Sequence, residues 1–322
     1  MTTPLPEPAL SRGGVDMVGH RRADAEWLES AWADPKTRVL VLEGGEPGEY
    51  GWQALMVKQS RALVSTGTDG VHLVFHPPGD TPPGERYLLG ADPEGRVYFA
   101  VRADDGFALP ETAGAAPRSL RDIGAVLGPR DSSLLTHAVA VANFNAANRF
   151  CPRCGAATAM ASEGHVRVCE REGTELYPRM DPAVIMLVHR EVDGVGQCLL
   201  AHNPAWPDDR YSVLAGFVEP GESLEQAVVR EVAEEVGVAV AEPVYLGSQP
   251  WPFPRSLMLG YHARAVGVAE RTDDEEIESV RWFSRPELRE AAESGAVLLP
   301  GPVSIARKLI EHWYGAELPG GW

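Results

Sequence analysis

Three glutamates, Glu231, Glu234 and Glu235, fall at i, i+3 and i+4 in the stretch ESLEQAVVREVAEEVG. On a helix those offsets put all three carboxylates on one face, where like charges destabilise the bare helix. Either the face is solvated, with Arg230 and other cations nearby, or divalent cations sit against it and cancel the repulsion. Hard ions such as Mg²⁺ take oxygen ligands and are often held by one or two carboxylates together with substrate phosphates. Local signals support the helix. Ser223 is a natural N-cap, Gln226 completes a capping box, and Gly237 is a natural C-terminal stop. Ala227, Val228, Val232 and Val236 supply its apolar packing.

A second group is Cys151, Cys154 and Cys169, three of the four cysteines in 322 residues. Outside an oxidising compartment such clustering favours a metal over disulfides. Cys198, in QCLLA, is expected in the core. A third stretch, SQPWPFPRS (248–256), alternates Pro250, Pro252 and Pro254 with Trp251 and Phe253. Each proline fixes φ and removes a donor, so neither a helix nor a central strand is expected there. Two large aromatics in so stiff a segment must bury against something, and core filling is an equal reading for Phe253.

The chain around these groups is globular in composition, with 44% hydrophobic and 23% charged residues. Its net charge of −17 repels phosphate backbones and argues against generic nucleic-acid binding. The N-terminus lacks the apolar core of a signal peptide, and no run reaches the ~18 apolar residues of a membrane span. A cytoplasmic protein without membrane attachment is expected. The length suggests two domains, or two with a small insert.

Periodicity places the elements. DAEWLESAWAD reads as a short helix, TRVLVLEG and GVHLVFH as strands, and RYLLGADPEGRVYFAVR as a hairpin. SLRDIGAVLG and DSSLLTHAVAVANFNAANRF read as helices, with Asp131 as the N-cap of the second. This α+β half carries no chemical cluster and is read as a folding or dimerisation domain. After the cysteine segment, PAVIMLVHR, GQCLLAHN, PVYLGS and LMLGYHARAV read as strands. PVSIARKLIEHWYG reads as a helix, with Ile305, Leu309 and Trp313 at helical spacing.

The acidic stretch follows a longer pattern: Gly216, five residues, Glu222, seven residues, Arg230-Glu231-Val232, Ala233, Glu234-Glu235, Val236, Gly237-Val238. It resembles the Nudix box, G-x5-E-x7-R-E-U-x-E-E-x-G-U with U apolar, at all nine fixed positions. Ten residues on, SQPWPFPRS resembles the element that marks NADH pyrophosphatases among Nudix hydrolases. The resemblance implies a Nudix α/β/α sandwich, preceded by a zinc-ribbon-like insert and an α+β N-terminal domain. The corresponding boundaries are 1–148, 149–178 and 179–322.

It also implies metal-dependent hydrolysis of NADH, and of NAD⁺ as a second substrate, to nicotinamide mononucleotide and AMP. Glu231, Glu234 and Glu235 match the Mg²⁺- or Mn²⁺-binding positions. One of Glu234 and Glu235 is also a general-base candidate. Glu222 and Arg230 match positions that support the loop, and Gly216 suits a tight strand-to-loop bend. Glu276, in DDEEIESVRW, matches a further metal or phosphate-region carboxylate, or else belongs to an exposed acidic loop.

Trp251 and Ser256 match the nicotinamide side, Phe217 a ring-stacking position, and Gln249 a polar contact. Tyr177 and Ala306 match substrate-side positions, with core packing the equal alternative for Tyr177. The family's zinc ribbon has two C-x2-C knuckles; here Glu172 stands where the fourth cysteine would be, and His165 is an alternative ligand by chemistry. A homodimer is expected. Two other readings remain: removal of an NAD cap from RNA 5′ ends by the same site, and a non-enzymatic sensor. The intact set of box glutamates opposes the sensor.

Overall fold

A computed structural model describes residues 4–43, 60–104, 107, 109, 112–267 and 276–322. The chain divides into two compact units. One comprises Arg12–Met180 with Pro252–Arg255, the other Met1–Ser11, Asp181–Trp251 and Ser256–Trp322.

The first of these opens with α1 (Ala25–Ala33), capped by Asp24, whose side chain accepts from the Trp27 amide. Its large sheet is built from β1 (Arg38–Glu43), β2 (Arg61–Gly67), β3 (Gly70–Leu73), β4 (Phe75–His76), β5 (Gly84–Ala91), β6 (Val97–Ala103) and β7 (Ala115–Ser119). The order is β3-β2-β1-β6-β5, with β4 on β1 and β7 on β2. β1 and β6 pair in parallel, and β5 and β6 form the hairpin expected from the sequence. GVHLVFH splits at Val74 into β3 and β4. Neither β2 nor β7 is anticipated from periodicity.

Two helices follow, α2 (Leu120–Ile123) and α3 (Pro129–Ala147). Asp131 does not cap α3. Gly128 occupies the N-cap and Pro129 the first turn, while Asp131 is buried and accepts from the Leu73 amide at 2.9 Å and from Arg130 Nε at 2.8 Å. A distant strand amide thus claims the carboxylate that the local pattern assigns to the helix end. A small antiparallel sheet completes the unit, with β8 (Thr158–Ala161), β9 (Val166–Cys169) and β10 (Glu175–Leu176) in the order β10-β9-β8.

The second unit has a mixed sheet of β11 (Asp181–Val192), β12 (Val195–His202), β13 (Leu214–Phe217), β14 (Val240–Trp251), β15 (Ser256–Ala265) and β16 (Ser279–Ser284). The order is β14-β15-β11-β12-β16, with β13 on β11, and β11 pairs with β15 in parallel. Its helices are α4 (Leu224–Val236), α5 (Arg285–Ser294) and α6 (Ile305–Tyr314). Alternation along β11 serves two cores. Val184, Met186 and Val188 pack with Ala227, Val228, Val232 and Val236 of α4. Ile185 and Leu187 pack with Leu288 of α5 and Ile305, Leu309 and Trp313 of α6. Burying each such large aliphatic contributes about 1.5–3 kcal/mol, so the sheet is sealed between helices. Cys198 is in this core as expected, and burial pushes its thiol up to about 12.

The proline-rich stretch takes a form the sequence only half predicts. Ser248–Trp251 lie in β14, which is at the sheet edge, where a proline costs no ladder bond. Ser256–Met258 belong to β15, an inner strand, and the ladder closes at Trp251↔Ser256. The chain reverses through Pro252–Arg255 between them.

Candidate active site

The helix of the acidic stretch forms as its signals require. Ser223 accepts from the Gln226 amide, Gln226 answers the Ser223 amide, and Gly237 ends the helix at φ 66°, a left-handed conformation glycine adopts without strain. The three glutamates share a face but not an environment. Glu234 is 61% exposed at its side chain and Glu231 12%, while Glu235 is only 5% exposed. A solvated acidic face does not have two of its three members withdrawn from water.

Arg230 organises the group. Its guanidinium donates to Glu222 (Nε, 3.1 Å), Glu231 (Nη1, 2.8 Å), Glu234 (Nη1, 3.0 Å) and the carbonyl of Phe217 (Nη2, 2.9 Å). Glu222 also accepts from the Glu219 amide at 2.7 Å, closing the loop ahead of the helix. The Arg230 hydrogen bonds, then the Glu219 amide, hold the Glu222 carboxyl below the usual carboxylate range. Glu231 moves the other way. Burial pushes it up, Arg230 opposes, and the charges of Glu234 and Glu276 add to the rise.

Gly216 lies inside β13, paired with Val184, rather than at a bend. A Cβ there would overlap the Glu231 carboxylate. The box glycine is therefore explained by the close approach of that carboxylate to the strand. The carboxylate oxygens are the donor type a hard divalent cation takes, while in this structure Glu222, Glu231 and Glu234 turn to Arg230, and among the described residues only the cysteine sulfurs converge closely enough to hold an ion as they stand.

Glu276 is exposed, and Asp273, Asp274 and Glu275 of the same acidic run lie outside the described residues. Asn203 donates through Nδ2 to the Glu276 carbonyl at 2.8 Å, and the Glu278 amide donates to the His202 carbonyl at 3.0 Å. These bonds tie the segment to the end of β12. Asn203 carries no motif that would have revealed it.

The remaining sequence candidates fall into different settings. Phe217 ends β13 and is 53% exposed. Trp251 is half-buried and Ser256 buried, facing each other across the ladder. Gln249 is fully buried and donates to the Val303 carbonyl at 3.0 Å. That makes it a brace between β14 and the entry to α6, not a surface contact. Ala306 is buried in the first turn of α6, its amide donating to Ser304 Oγ at 3.2 Å. Tyr177 belongs to the other unit and is exposed, not core, with its hydroxyl bonded to Glu175.

The sulfurs of Cys151, Cys154 and Cys169 lie within 4.8 Å of one another, with 3.4 Å between Cys154 and Cys169. Backbone amides point at them. The Glu172 amide donates to Cys169 Sγ at 3.4 Å, and the Ala156 amide draws the Cys154 thiol below its ordinary range. Three converging sulfurs with amide donors fit a tetrahedral zinc. Among the described residues neither the Glu172 carboxylate nor His165 joins the set. His165 is buried elsewhere, with Nε2 3.0 Å from His137 Nε2 and Nδ1 against the carbonyls of Ser162 and Glu163.

Among the described residues no helix is long and apolar enough to cross a membrane. The NUDIX domain pattern matches residues 179–300, and the NADH pyrophosphatase zinc ribbon pattern residues 146–177. The NADH pyrophosphatase-like rudimentary NUDIX domain pattern matches residues 50–143. The NAD-capped RNA hydrolase NudC of Mycobacterium bovis (strain BCG / Pasteur 1173P2) is 39% identical over 327 residues, 96% of each chain. Its namesake in Mycobacterium tuberculosis (strain H37Rv) is 38% identical over the same share. The human NAD-capped RNA hydrolase NUDT12 is 37% identical over 238 residues, 70% of this chain and 49% of that protein.

Proposed function

Because the chain belongs to the Nudix hydrolases, in the family that joins an NADH pyrophosphatase zinc ribbon to a NUDIX domain, we propose that it cleaves the pyrophosphate bond of NADH and NAD⁺. The products are nicotinamide mononucleotide, reduced from NADH, and AMP. The observation that carries the proposal is the convergence of Glu222, Glu231 and Glu234 on Arg230, with Gly216 leaving the space that the Glu231 carboxylate fills. Carboxylates gathered at one place repel one another, and a divalent cation seated against them relieves that repulsion.

Glu231, Glu234, Glu235 and Glu276 would hold Mg²⁺ or Mn²⁺. When bound, a divalent cation supplies charge neutralisation for the diphosphate oxygens and lowers the pKa of water. Arg230 and Glu222 fix the loop that presents the carboxylates. Glu234 or Glu235 accepts a proton from the attacking water, and the burial of Glu235 supports giving it a fixed orientation. Phe217 stacks on a ring of the dinucleotide, and Trp251 and Ser256 line the nicotinamide side. Gln249 braces the hairpin from beneath, with the Ala306 backbone at the periphery of the substrate.

Residues 179–322 form the catalytic domain in this reading, 149–178 a structural zinc ribbon and 1–148 the N-terminal domain. Cys151, Cys154 and Cys169 would bind the zinc, with Glu172 reaching the fourth position by a side-chain rotation. Free thiols at all four cysteines support a cytoplasmic setting, and a homodimer completes the proposal.

Product analysis tests it. NADH is incubated with the protein and magnesium, and the nucleotides are separated. AMP and reduced nicotinamide mononucleotide in equal amounts are expected; no AMP above a metal-free control would reject the reading. NAD-capped RNA is a second substrate, favoured by the names of the relatives. With a net charge of −17, its turnover should fall steeply with salt if a local basic strip is engaged, and little if only the cap is held.

A further inference from the structure

We propose that Asn143, assisted by Arg121, is a positioning residue for the tip of the proline-rich hairpin and so sets how well the nicotinamide end of a dinucleotide is recognised. The inference rests on the proposed function of Trp251 and Ser256. The tip, Pro252–Arg255, belongs to the same compact unit as α2 and α3, although both flanking strands belong to the other. It lies beyond the last ladder pair, Trp251↔Ser256, and its two prolines have no N–H to offer.

Asn143 supplies donors from outside. Its Nδ2 donates to the carbonyls of Pro252 and Pro254, both at 2.9 Å, so one amide group uses both hydrogens across a two-residue span. Arg121 approaches from α2 with Cζ 4.8 Å from the centre of the Phe253 ring. The backbone of the tip is thus held at two points and its aromatic side chain at a third. Phe253 is half-buried beneath a cation rather than a core residue.

Asparagine is a poor choice for a helix interior on propensity alone, so the position of Asn143 inside α3 is explained by these bonds and not by the helix. Trp251 and Ser256 are joined directly to the two ends of the tip, which closes the hairpin beyond their ladder pair. A loosened tip must be ordered again on each binding event, which weakens affinity without touching the reacting atoms.

The test compares the parent with Asn143→Asp, which exchanges the donor group for an acceptor at equal size, and with Arg121→Met. NADH turnover gives KM and kcat, ADP-ribose serves as a competitive inhibitor lacking nicotinamide, and thermal melts report folding. For Asn143→Asp, KM for NADH should rise about tenfold, the loss of one or two net hydrogen bonds. The kcat and the inhibition constant of ADP-ribose should stay within about twofold. Arg121→Met should follow in the same direction with a smaller change, and it carries the test if Asn143→Asp does not fold. A lower melting temperature with unchanged KM, or equal losses for NADH and ADP-ribose, would reduce both residues to structural supports and overturn the inference. A parent that hydrolyses no NADH would overturn the proposed function and this inference together; an active parent with unaffected variants would overturn this inference alone.

Discussion

The carboxylate of Glu231 fills the space that a Cβ on Gly216 would need. Strand β13 and helix α4 meet at that point, and the glycine is what allows the carboxylate to reach its place beside Arg230. Gly216→Ala should push the carboxylate out of this position. Its backbone is ordinary strand, so the expected cost in stability is that of overpacking, about 1–3 kcal/mol. Turnover should fall at least about tenfold, with a higher magnesium concentration needed for half-maximal rate. A variant with parental metal dependence would show that the contact is incidental.

Glu235 is the most buried of the three helix carboxylates. Glu235→Gln keeps its shape and removes the charge. We expect turnover to fall by about two orders of magnitude or more, with nucleotide affinity largely kept, as for loss of a group that acts in the transition state. Single-turnover rates and equilibrium binding separate the two effects. Near-parental rates would mean that the chemistry lies elsewhere.

Trp251→Ala should weaken NADH about tenfold or more while ADP-ribose changes little, because one stacking surface for the nicotinamide ring is lost. Competition assays with both ligands decide this. Equal losses would remove the nicotinamide role.

The sulfur triad predicts about one zinc per chain by elemental analysis. Cys151→Ser should lower the zinc content and the melting temperature together. NADH hydrolysis by the fraction still folded should persist, since this metal is structural. Full zinc content in that variant would show that the three sulfurs do not form the site. Glu172→Ala measures the fourth position, with about tenfold weaker zinc retention expected if the carboxylate reaches the metal.

His262 gives a pH dependence with a defined sign. Burial, against a hydrogen bond to the Leu309 carbonyl, draws its pKa from 6.5 down to about 4. Above pH 6.5 the ring is neutral whether folded or unfolded and makes no difference to stability. As pH falls from 6.5 to about 4, the unfolded chain takes up the proton and the folded chain does not, so stability is lost across that window. The ceiling is on the order of 3 kcal/mol. Urea midpoints measured at several pH values should therefore decline less steeply for His262→Gln than for the parent. Parallel slopes would show that the ring titrates normally.

The chemistry was legible in the sequence because it is carried by local order. A helix that places residues 231, 234 and 235 on one face, with Ser223 and Gly237 at its ends, needs no distant partner to define it. The proline-rich element and the cysteine spacing are local in the same sense. The hidden part involves contacts between residues far apart in the chain. Which glutamate is buried depends on the strands α4 lies against, and the reason for Gly216 sits fifteen positions away in Glu231. Nothing local to Gln249 shows that its amide donates to Val303, and Asp131 reads as a helix cap until the Leu73 amide takes its oxygen. Residue type and spacing determine what a segment can do; competition among distant partners for the same polar atoms decides what it does, and only the tertiary structure brings those partners within bonding distance.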